Sequence, residues 1–298
     1  MIDPIAFTIP FINFPVRWYA ILMVFGIYLA AWLSALEVRR RGEDPDHVWG
    51  ALIWAMPAGI VGARLWYVVN DILGGGKAYI RNPLRILNTL EGGLHFYGAM
   101  LFGAIAVILY VRKHKLDVRL FLDAVAPTLL IAQAVVRPAN FINQELYGQP
   151  TNLPWGIRIS AMHRLAQYSD MAAFPEETTR FHPTFAYEMV WNFAAAAVLL
   201  WLPRRYQDKA RPGAVFAGWL VLEGVGRVII ESFRPDQPVL PGTALSYSRI
   251  VAALMAVAGT LYLLVRYEII RLPFWRNGSP HYVIAHTSAE AHDPAPAD

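Results

Sequence analysis

The chain contains no cysteine, so it can form no disulfide, no cysteine-ligated metal site and no cysteine nucleophile. Charge is also scarce, because 16% of the residues are charged against about a quarter in a soluble domain. The N-terminal stretch MIDPIAFTIPFINFPVRWY lacks a basic start and a small-residue cleavage site, so we do not expect it to be a secretory signal peptide. The low charge argues against an ordinary soluble domain.

Apolar blocks of membrane-spanning length fill most of the chain. Hydrophobic residues make up 56% of it, and the mean hydropathy is +0.36. Because a helix needs about 20 apolar residues to cross a bilayer, we predict an all-α polytopic membrane protein with about seven transmembrane helices. The predicted spans are residues 18–37, 49–70, 93–111, 121–142, 183–202, 213–232 and 245–265.

Basic residues alternate between the connections and predict an orientation. Clusters of arginine and lysine follow the first, third, fifth and seventh spans, at residues 39–41, 112–119, 204–211 and 266–276. These four clusters fall on one side of the membrane, and the positive-inside rule makes that side cytoplasmic. The N-terminus is then outside and the C-terminus inside.

Two long outer connections and a tail complete the predicted organisation. The arm segment, residues 71–92, interleaves basic and apolar residues, which suits either a chain lying in the headgroup layer or an ordinary solvated loop. The head segment, residues 143–182, is too long for a turn and predicts a small extracytoplasmic head. We divide the chain into a transmembrane domain over residues 1–270 and a disordered cytoplasmic tail over 271–298.

The stretch RPANFINQELYG, residues 137–148, places several polar groups at the end of an apolar run. Arg137, Asn140, Gln144 and Gly148 are spaced to form one stripe on a helix. Pro138 predicts a break or a helix start, where freed backbone groups would line a cavity.

Three further polar clusters lie within or beside spans. They are GRVIIESFRPD, in which Arg227 and Glu231 are four residues apart and Arg234 follows, EGGLHFYGAMLFGA around His95 and Tyr97, and HPTFAYE with His182, Tyr187 and Glu188. Glycines in the second of these permit close helix approach. Arg17, Trp18 and Tyr19 open the first span, and Arg64 lies within the second.

The cost of burying these charges favours a functional interpretation. One charged side chain at mid-bilayer costs about 2.5–3.5 kcal/mol, so the five charged groups Arg64, Arg137, Arg227, Glu231 and Glu188 would together cost on the order of 10 kcal/mol if unpaired and central. Arginines outnumber obvious acidic partners, and this surplus predicts an anion site, the available anion being lipid phosphate.

Structural explanations remain open for individual residues. Asn140 and Asn143 are also explained as interhelical hydrogen-bonding groups, and Arg227 with Glu231 as a structural ion pair. A lone histidine such as His95 is more often a hydrogen-bonded core residue than a catalyst, and Tyr19 is also explained as an interface anchor. His281, His286 and His292 in the tail are compatible with metal binding, but a solvated tail is the interpretation we favour.

The motifs together resemble those of the prolipoprotein diacylglyceryl transferase family, bacterial inner-membrane enzymes. RPANFINQELYGQP is similar to the family's signature around an Arg and an Asn, GGLHFYGA to its glycine-rich motif, and HPTFAYE to its His-Pro-x-x-x-Tyr-Glu segment. GRVIIESFRPD resembles the late Arg/Glu motif and VRWYA the Trp-Tyr of the first span. The resemblance covers roughly residues 10–265.

The resemblance implies a reaction and its partners. A diacylglyceryl group moves from phosphatidylglycerol to the thiol of a lipobox cysteine in a preprolipoprotein, which is the first step of bacterial lipoprotein maturation. A thioether forms and glycerol phosphate leaves. We expect a multi-pass inner-membrane location in the lipid bilayer and no cofactor, resident metal or nucleic acid.

The candidate site residues follow from the matched motifs and the chemistry. The thiol must lose a proton, and charge on the departing phosphate must meet fixed donors. The catalytic candidates are His95, Tyr97, Arg137 and Arg227; the candidates for binding phosphatidylglycerol are Arg137, Asn140, Asn143, Tyr19, Glu145, Gly148, Arg64, Glu231, Arg234 and His182. Arg137 and Arg227 would hold the phosphate, Asn140 and Asn143 the ester or glycerol oxygens, and Glu231 would orient Arg227.

Departures from the family pattern leave the general base open between His95, Tyr97 and His182. Tyr97 stands where many members have His, Pro138-Ala139 follow Arg137 where Gly is usual, Thr184-Phe185 replace Ser-Gln, and Glu223 stands where Tyr is frequent. A transporter for a polar or anionic solute is the alternative function, since intramembrane arginines also line transport paths. An intramembrane serine protease is disfavoured because no G-x-S-x-G motif occurs.

Overall fold

The computed structural model describes residues 2–88, 92–243, 245–273 and 279–284. Seven helices of at least 18 residues lie within these ranges, together with one short helix. They are α1 (Trp18–Arg40), α2 (Asp46–Leu73), the short α3 (Ala78–Arg81), α4 (Phe96–Lys113), α5 (Val118–Ile142), α6 (Thr184–Arg205), α7 (Ala214–Glu231) and α8 (Tyr247–Arg266). Short 3₁₀ helices occur at Pro83–Leu87, Ala161–His163, Ala166–Tyr168 and Gln207–Lys209.

Five of the described helices are long and apolar enough to cross a membrane: α1, α2, α5, α6 and α8. The prediction of an all-α polytopic membrane protein is therefore confirmed, while the count of seven spans stays a prediction. The boundaries differ by a few residues. The predicted third span begins at residue 93, but α4 begins at Phe96 because Gly92 and Gly93 adopt positive φ angles of 85° and 79°, which no helix continues.

A small β-hairpin precedes the first helix and is absent from the sequence predictions. Strands β1 (Ile5–Ile9) and β2 (Phe14–Arg17) pair antiparallel. Pro10 and Pro15 obscure the strand pattern, because proline within a short run argues against a strand. The Trp18 amide donates to the Pro4 carbonyl at 3.1 Å, so the hairpin is tied to the start of α1.

The chain divides into two compact units. The first comprises residues 1–33 and 122–281, and the second comprises residues 34–121 and 282–298. In the first unit, Leu130 of α5 packs with Ala195, Ala196 and Leu199 of α6 and Val215 of α7. In the second unit α2 and α4 pack closely, since a Cβ at Gly98 would lie 2.2 Å from the Gly62 carbonyl oxygen. The glycine-rich motif thus permits the close helix approach that its sequence predicts.

The head segment has its own small core within the first unit. Tyr147, Ile159 and Phe181 are buried together, and the Tyr147 hydroxyl accepts a hydrogen bond from the Leu165 amide at 2.6 Å. Most of the predicted disordered tail, including His286 and His292, lies outside the described residues. His281 is described, and beside it the Ser279 carbonyl accepts from Arg266 Nη2 at 2.6 Å.

The expected stripe over residues 137–148 is only partly helical. The break predicted at Pro138 is wrong, because α5 continues through it to Ile142; a proline removes one helix hydrogen bond, and the packed helix tolerates that loss. The helix ends instead where Gln144 and Leu146 take positive φ angles of 53° and 52°. The Gln144 side chain therefore leaves the stripe, and its Oε1 accepts from the Ser160 amide at 2.7 Å.

Asp123 of α5 caps α7 from a neighbouring helix. It is fully buried, and its two carboxylate oxygens accept from the amides of Gly213 at 2.6 Å and Phe216 at 2.7 Å. These amides belong to the first turn of α7, where helix donors have no partner within the helix. One side chain therefore fixes the position of α7 against α5.

We predict that Asp123→Ala destabilises the protein because it leaves these buried donors without acceptors. The expected loss is about 1–3 kcal/mol for each buried donor left unpaired, seen as a lowered thermal midpoint by tryptophan fluorescence in detergent. Asp46→Ala is the matched control, since Asp46 is an exposed carboxylate at the start of α2. Equal midpoints for the two variants would show that the cap contributes nothing.

Candidate functional site

Three helices of the first unit bring four charged side chains together, which we call the Arg–Glu cluster: Arg137 of α5, Glu188 of α6, and Arg227 and Glu231 of α7. Arg137 Nη2 donates to Glu188 Oε1 in a short ion pair. Arg227 Nη1 lies 3.8 Å from the same oxygen, and its Nε lies 3.8 Å from Glu231 Oε2. Glu188 therefore joins the two arginines that the sequence singles out.

Glu231 is fixed by the start of the next helix. Its Oε1 accepts from the hydroxyls of Ser246 and, at 2.5 Å, Ser248. Ser246 also caps α8 by accepting from the Arg249 amide at 3.1 Å. The predicted pairing of Arg227 with Glu231 is thus present as a long ion pair, anchored on its acidic side by α8.

The two asparagines of the signature stretch converge on one carboxylate. Asn140 Nδ2 and Asn143 Nδ2 donate to Glu145 Oε1 at 2.9 and 3.0 Å. The other amide atom of Asn140, Oδ1, accepts from Arg137 Nη1 at 3.3 Å. This chain of contacts connects Glu145 to the Arg–Glu cluster, so the turn after α5 holds the guanidinium of Arg137 in place.

The arginines of the cluster retain donor capacity. Within the described ranges Arg227 forms its two long ion pairs and no hydrogen bond, since 3.8 Å exceeds hydrogen-bonding distance. Its side chain is 35% exposed. Arg137 Nε is buried and has no hydrogen-bond partner among the described residues. An arriving anion can therefore be met by Arg227 without breaking a strong contact.

The expected surplus of arginine over acid is wrong for this cluster. Glu188 and Glu231 match the two arginines, and Glu223 of α7 adds a third carboxyl that interacts electrostatically with Glu188, Arg227 and Arg137. Glu188 is one of the charged groups recognised in the sequence, but it is not among the predicted site residues. Its partner lies 51 positions away, so the only signal is its place in HPTFAYE, one turn into α6.

The cavity beside the cluster is small. It holds about 10 Å³ of space for a water molecule and is lined by residues of α6 and α7, among them Glu188, Glu223 and Arg227. Such a space accommodates roughly one water. The cavity is therefore too small for a phosphate group, and the exposed side of Arg227 is the open approach to the cluster.

Gly148 and His182 connect the head segment to α6 and α7. The Gly148 amide donates to the His182 carbonyl at 2.8 Å, and the Gln149 amide donates to the Phe233 carbonyl at 2.9 Å. A Cβ at Gly148 would lie 2.7 Å from that Phe233 carbonyl, so the position requires glycine. His182 Nδ1 is 3.0 Å from the Tyr187 hydroxyl, and burial lowers the pKa of His182 below its ordinary value, which favours the neutral ring.

Two further candidates lie apart from these contacts. Arg234 is engaged by Asp236, with Nε and Nη2 at 3.1 and 2.8 Å from the two carboxylate oxygens. Burial acts to raise the pKa of Asp236, but the hydrogen bond and charge of Arg234 outweigh it and hold that pKa below its ordinary value. Tyr19 lies in the first turn of α1 and is exposed.

Arg64, in the second unit, donates its side-chain hydrogen bonds to the backbone. Its guanidinium donates to five carbonyl oxygens, those of Arg85, Ile86, Asn88, Gly92 and Gly93, at 2.7–3.0 Å. A guanidinium has five N–H donors, so this set uses all of them. A Cβ at Gly93 would lie 2.4 Å from Arg64 Nη1, and its φ of +79° also favours glycine. Arg64 therefore shapes the end of the arm segment.

His95 lies two residues after Gly93, the last residue that is hydrogen-bonded to Arg64. Its amide donates to the Ala63 carbonyl at 3.0 Å, and its ring stacks on Tyr97 with centroids 5.5 Å apart. His95 Nδ1 is buried and lacks a hydrogen-bond partner among the described residues. The imidazole is thus held in place by its backbone and neighbouring ring while one nitrogen stays available.

Comparison with known proteins agrees with the motifs. The sequence model of the family described as prolipoprotein diacylglyceryl transferase matches residues 4–265. Proteins named phosphatidylglycerol–prolipoprotein diacylglyceryl transferase include one from Chloroflexus aggregans, 37% identical over 78% of this chain and 78% of its own. One from Paenarthrobacter aurescens is 41% identical over 74% of this chain and 69% of its own. One from Corynebacterium glutamicum is 35% identical over 85% of this chain and 80% of its own.

The family match covers the helices that carry the Arg–Glu cluster. The chain therefore belongs to the prolipoprotein diacylglyceryl transferase family.

Proposed function

We propose that this chain transfers the diacylglyceryl group of phosphatidylglycerol to the thiol of a lipobox cysteine in a preprolipoprotein. Family membership and the names of its relatives support the reaction. The observation that carries it is the Arg–Glu cluster, in which Arg227 keeps its hydrogen-bond donors uncommitted. Transfer of this group requires positive charge where a phosphate leaves.

The reaction forms one bond and breaks one. The cysteine sulfur attacks the glyceryl carbon that bears the phosphate, a C–S bond forms, and the C–O bond to phosphate breaks. The thiol proton passes to a base, and the electron pair of the broken bond leaves on glycerol phosphate. The chain has no cysteine of its own, so we favour direct displacement over a covalent intermediate on an enzyme thiol.

Arg227 and Arg137 are the proposed donors to the departing phosphate. Fixed donors aimed at developing charge are worth about 10²–10³ in rate. Glu188 and Glu231 hold the two guanidinium groups near each other without consuming the donors of Arg227. Asn140 and Asn143, placed by Glu145, are proposed to contact ester or glycerol oxygens.

The remaining proposed roles rest on the resemblance and on local geometry. Tyr19, Gly148, Arg234 and His182 stay candidates for contact with phosphatidylglycerol, although Gly148 and His182 also hold the head segment to α6. His95 is our first candidate for the base, because its Nδ1 is buried and unpartnered among the described residues. Tyr97 and His182 are its competitors.

The membrane arrangement belongs to the same proposal. We propose seven spans, with α4 and α7 joining the five apolar helices, in the bacterial inner membrane. The N-terminus would be outside and the C-terminus cytoplasmic, because the basic connections alternate. The head segment would then form an outer head, and the arm segment would lie in the outer headgroup layer. A solute transporter is the disfavoured alternative, since no contact among the described residues supports it.

Arg137→Lys is expected to lower turnover by at least about 10²-fold. Lysine keeps the positive charge but cannot contact Glu188 and Asn140 with the planar fork of a guanidinium. The measurement is the mass of a lipobox peptide after incubation with phosphatidylglycerol and the purified protein. Arg158→Lys, an exposed arginine of the head segment, is the matched control. Full turnover by Arg137→Lys would contradict the proposed phosphate site.

His95→Gln is expected to lower turnover by at least about 10²-fold if His95 takes the thiol proton. Glutamine keeps a polar side chain but cannot accept a proton near neutral pH. A higher pH should restore part of the rate, because more of the peptide is then thiolate. His281→Gln in the tail serves as the control. Unchanged turnover would transfer the role to Tyr97 or His182.

Arg64→Lys tests whether Arg64 organises the backbone or binds lipid. An ammonium offers three donors where the guanidinium satisfies five carbonyls, so residues 82–88 and 92–95 should exchange amide hydrogen faster. Arg81→Lys, an exposed arginine of α3, is the control. A raised KM for phosphatidylglycerol with unchanged exchange would instead assign Arg64 to the lipid.

A further inference from the structure

An apolar groove, separate from the Arg–Glu cluster, lies in the first unit between the end of α6, the start of α7 and the end of α8. It is a groove of about 470 Å³, within the size range of small-molecule sites. Its floor is aliphatic and includes Leu199, Leu202, Val215, Leu263, Leu264 and Ile269. No residue of the Arg–Glu cluster lines it.

One basic side chain lines this groove, and two more lie against tyrosines of its rim. Lys209 lines it directly, and its side chain has no ion pair or hydrogen bond within the described ranges. Tyr206 and Tyr267 line it too; the guanidinium carbon of Arg205 lies 5.5 Å from the Tyr206 ring centroid, and that of Arg211 lies 5.5 Å from the Tyr267 ring centroid.

Acidic groups offset only part of this charge. Glu268 pairs with Arg211 at 3.0 Å, and Asp208 is exposed beside Lys209. Lys209 and Arg205 remain without an acidic partner among the described residues. The groove therefore combines an apolar floor with an uncompensated basic rim.

The groove is remote from the Arg–Glu cluster. Glu188 lies near the start of α6 and Leu202 near its end, fourteen residues later. At a rise of about 1.5 Å per residue, the two sites are separated by about 20 Å along the helix. In the membrane arrangement proposed above α6 crosses the bilayer, so the groove and the cluster lie toward opposite leaflets.

We propose that this groove binds an anionic phospholipid, with one acyl chain on the aliphatic floor and the phosphate beside Lys209 and Arg205. Basic pockets between transmembrane helices are a recurrent way of holding anionic headgroups. A neutral lipid would use the floor but gain nothing from the rim. The lipid bound here is a resident of the leaflet opposite the proposed reaction and is not a substrate.

The test uses photoactivatable lipids and the full-length protein in phosphatidylcholine nanodiscs. Phosphatidic acid with a diazirine on one acyl chain is compared with phosphatidylcholine carrying the same chain, and labelled peptides are mapped by mass. We expect phosphatidic acid to label peptides from residues 199–218 and 261–270 in preference to phosphatidylcholine. Phosphatidic acid is not the proposed substrate, so the labelling is independent of turnover.

Lys209→Gln should reduce this labelling about five-fold, which corresponds to the roughly 1 kcal/mol that one basic residue contributes near anionic lipid. Lys113→Gln, a basic residue at the end of α4, should leave it unchanged. Ala210→Trp fills the groove and should remove labelling by both lipids, and circular dichroism checks that each variant is folded.

Three results would overturn the proposal. One is equal labelling of the groove by phosphatidylcholine and phosphatidic acid, which would mean ordinary annular lipid. Another is the same loss for Lys209→Gln and Lys113→Gln, which would mean non-specific attraction to the basic surface. The third is labelling that falls outside the groove peptides and survives Ala210→Trp.

Discussion

The carboxylate of Glu188 is the group on which the arrangement of the site depends. It is mostly buried, it accepts from Arg137 of α5, and it attracts Arg227 of α7. Three helices therefore meet at one negative charge. In a medium of low dielectric constant an unpaired guanidinium is costly, and removing one partner of a buried pair typically costs 3–5 kcal/mol. Glu188 makes it possible for two arginines to occupy the same region, and without it their mutual repulsion would separate them.

The unequal sharing of that carboxylate is chemically useful. Arg137 takes the short contact and is also tied to Asn140, whereas Arg227 stays at 3.8 Å from both of its glutamates. The guanidinium of Arg137 is thus fixed in the site, whereas that of Arg227 can form new hydrogen bonds. A phosphate that approaches the exposed side of Arg227 gains hydrogen bonds at little cost, because no short contact has to be broken.

The sequence predicts the helices and the chemistry better than it predicts the partners. Run length and basic clusters indicate the spans, and the long helices agree with them to within a few residues. Arg227 and Glu231 are predictable as a pair because four residues make one helical turn. The contact of Arg137 with Glu188 is not, since it joins helices 51 positions apart. The β-hairpin is hidden by its prolines, and the end of α5 is set by the positive φ of Gln144 rather than by Pro138.

Arg64 and Arg227 show why a buried arginine does not by itself identify a site. Both lie in apolar helices, and the sequence predicts that Arg227 holds the lipid phosphate and that Arg64 contacts phosphatidylglycerol. Arg64 has all five donors on backbone carbonyls, so binding an anion would first break several of these hydrogen bonds. Arg227 would break no hydrogen bond on binding an anion, since it forms only long ion pairs with Glu188 and Glu231. The number of hydrogen-bond donors already satisfied, rather than charge or depth, therefore separates the arginine that shapes the backbone from the one that is available to a substrate.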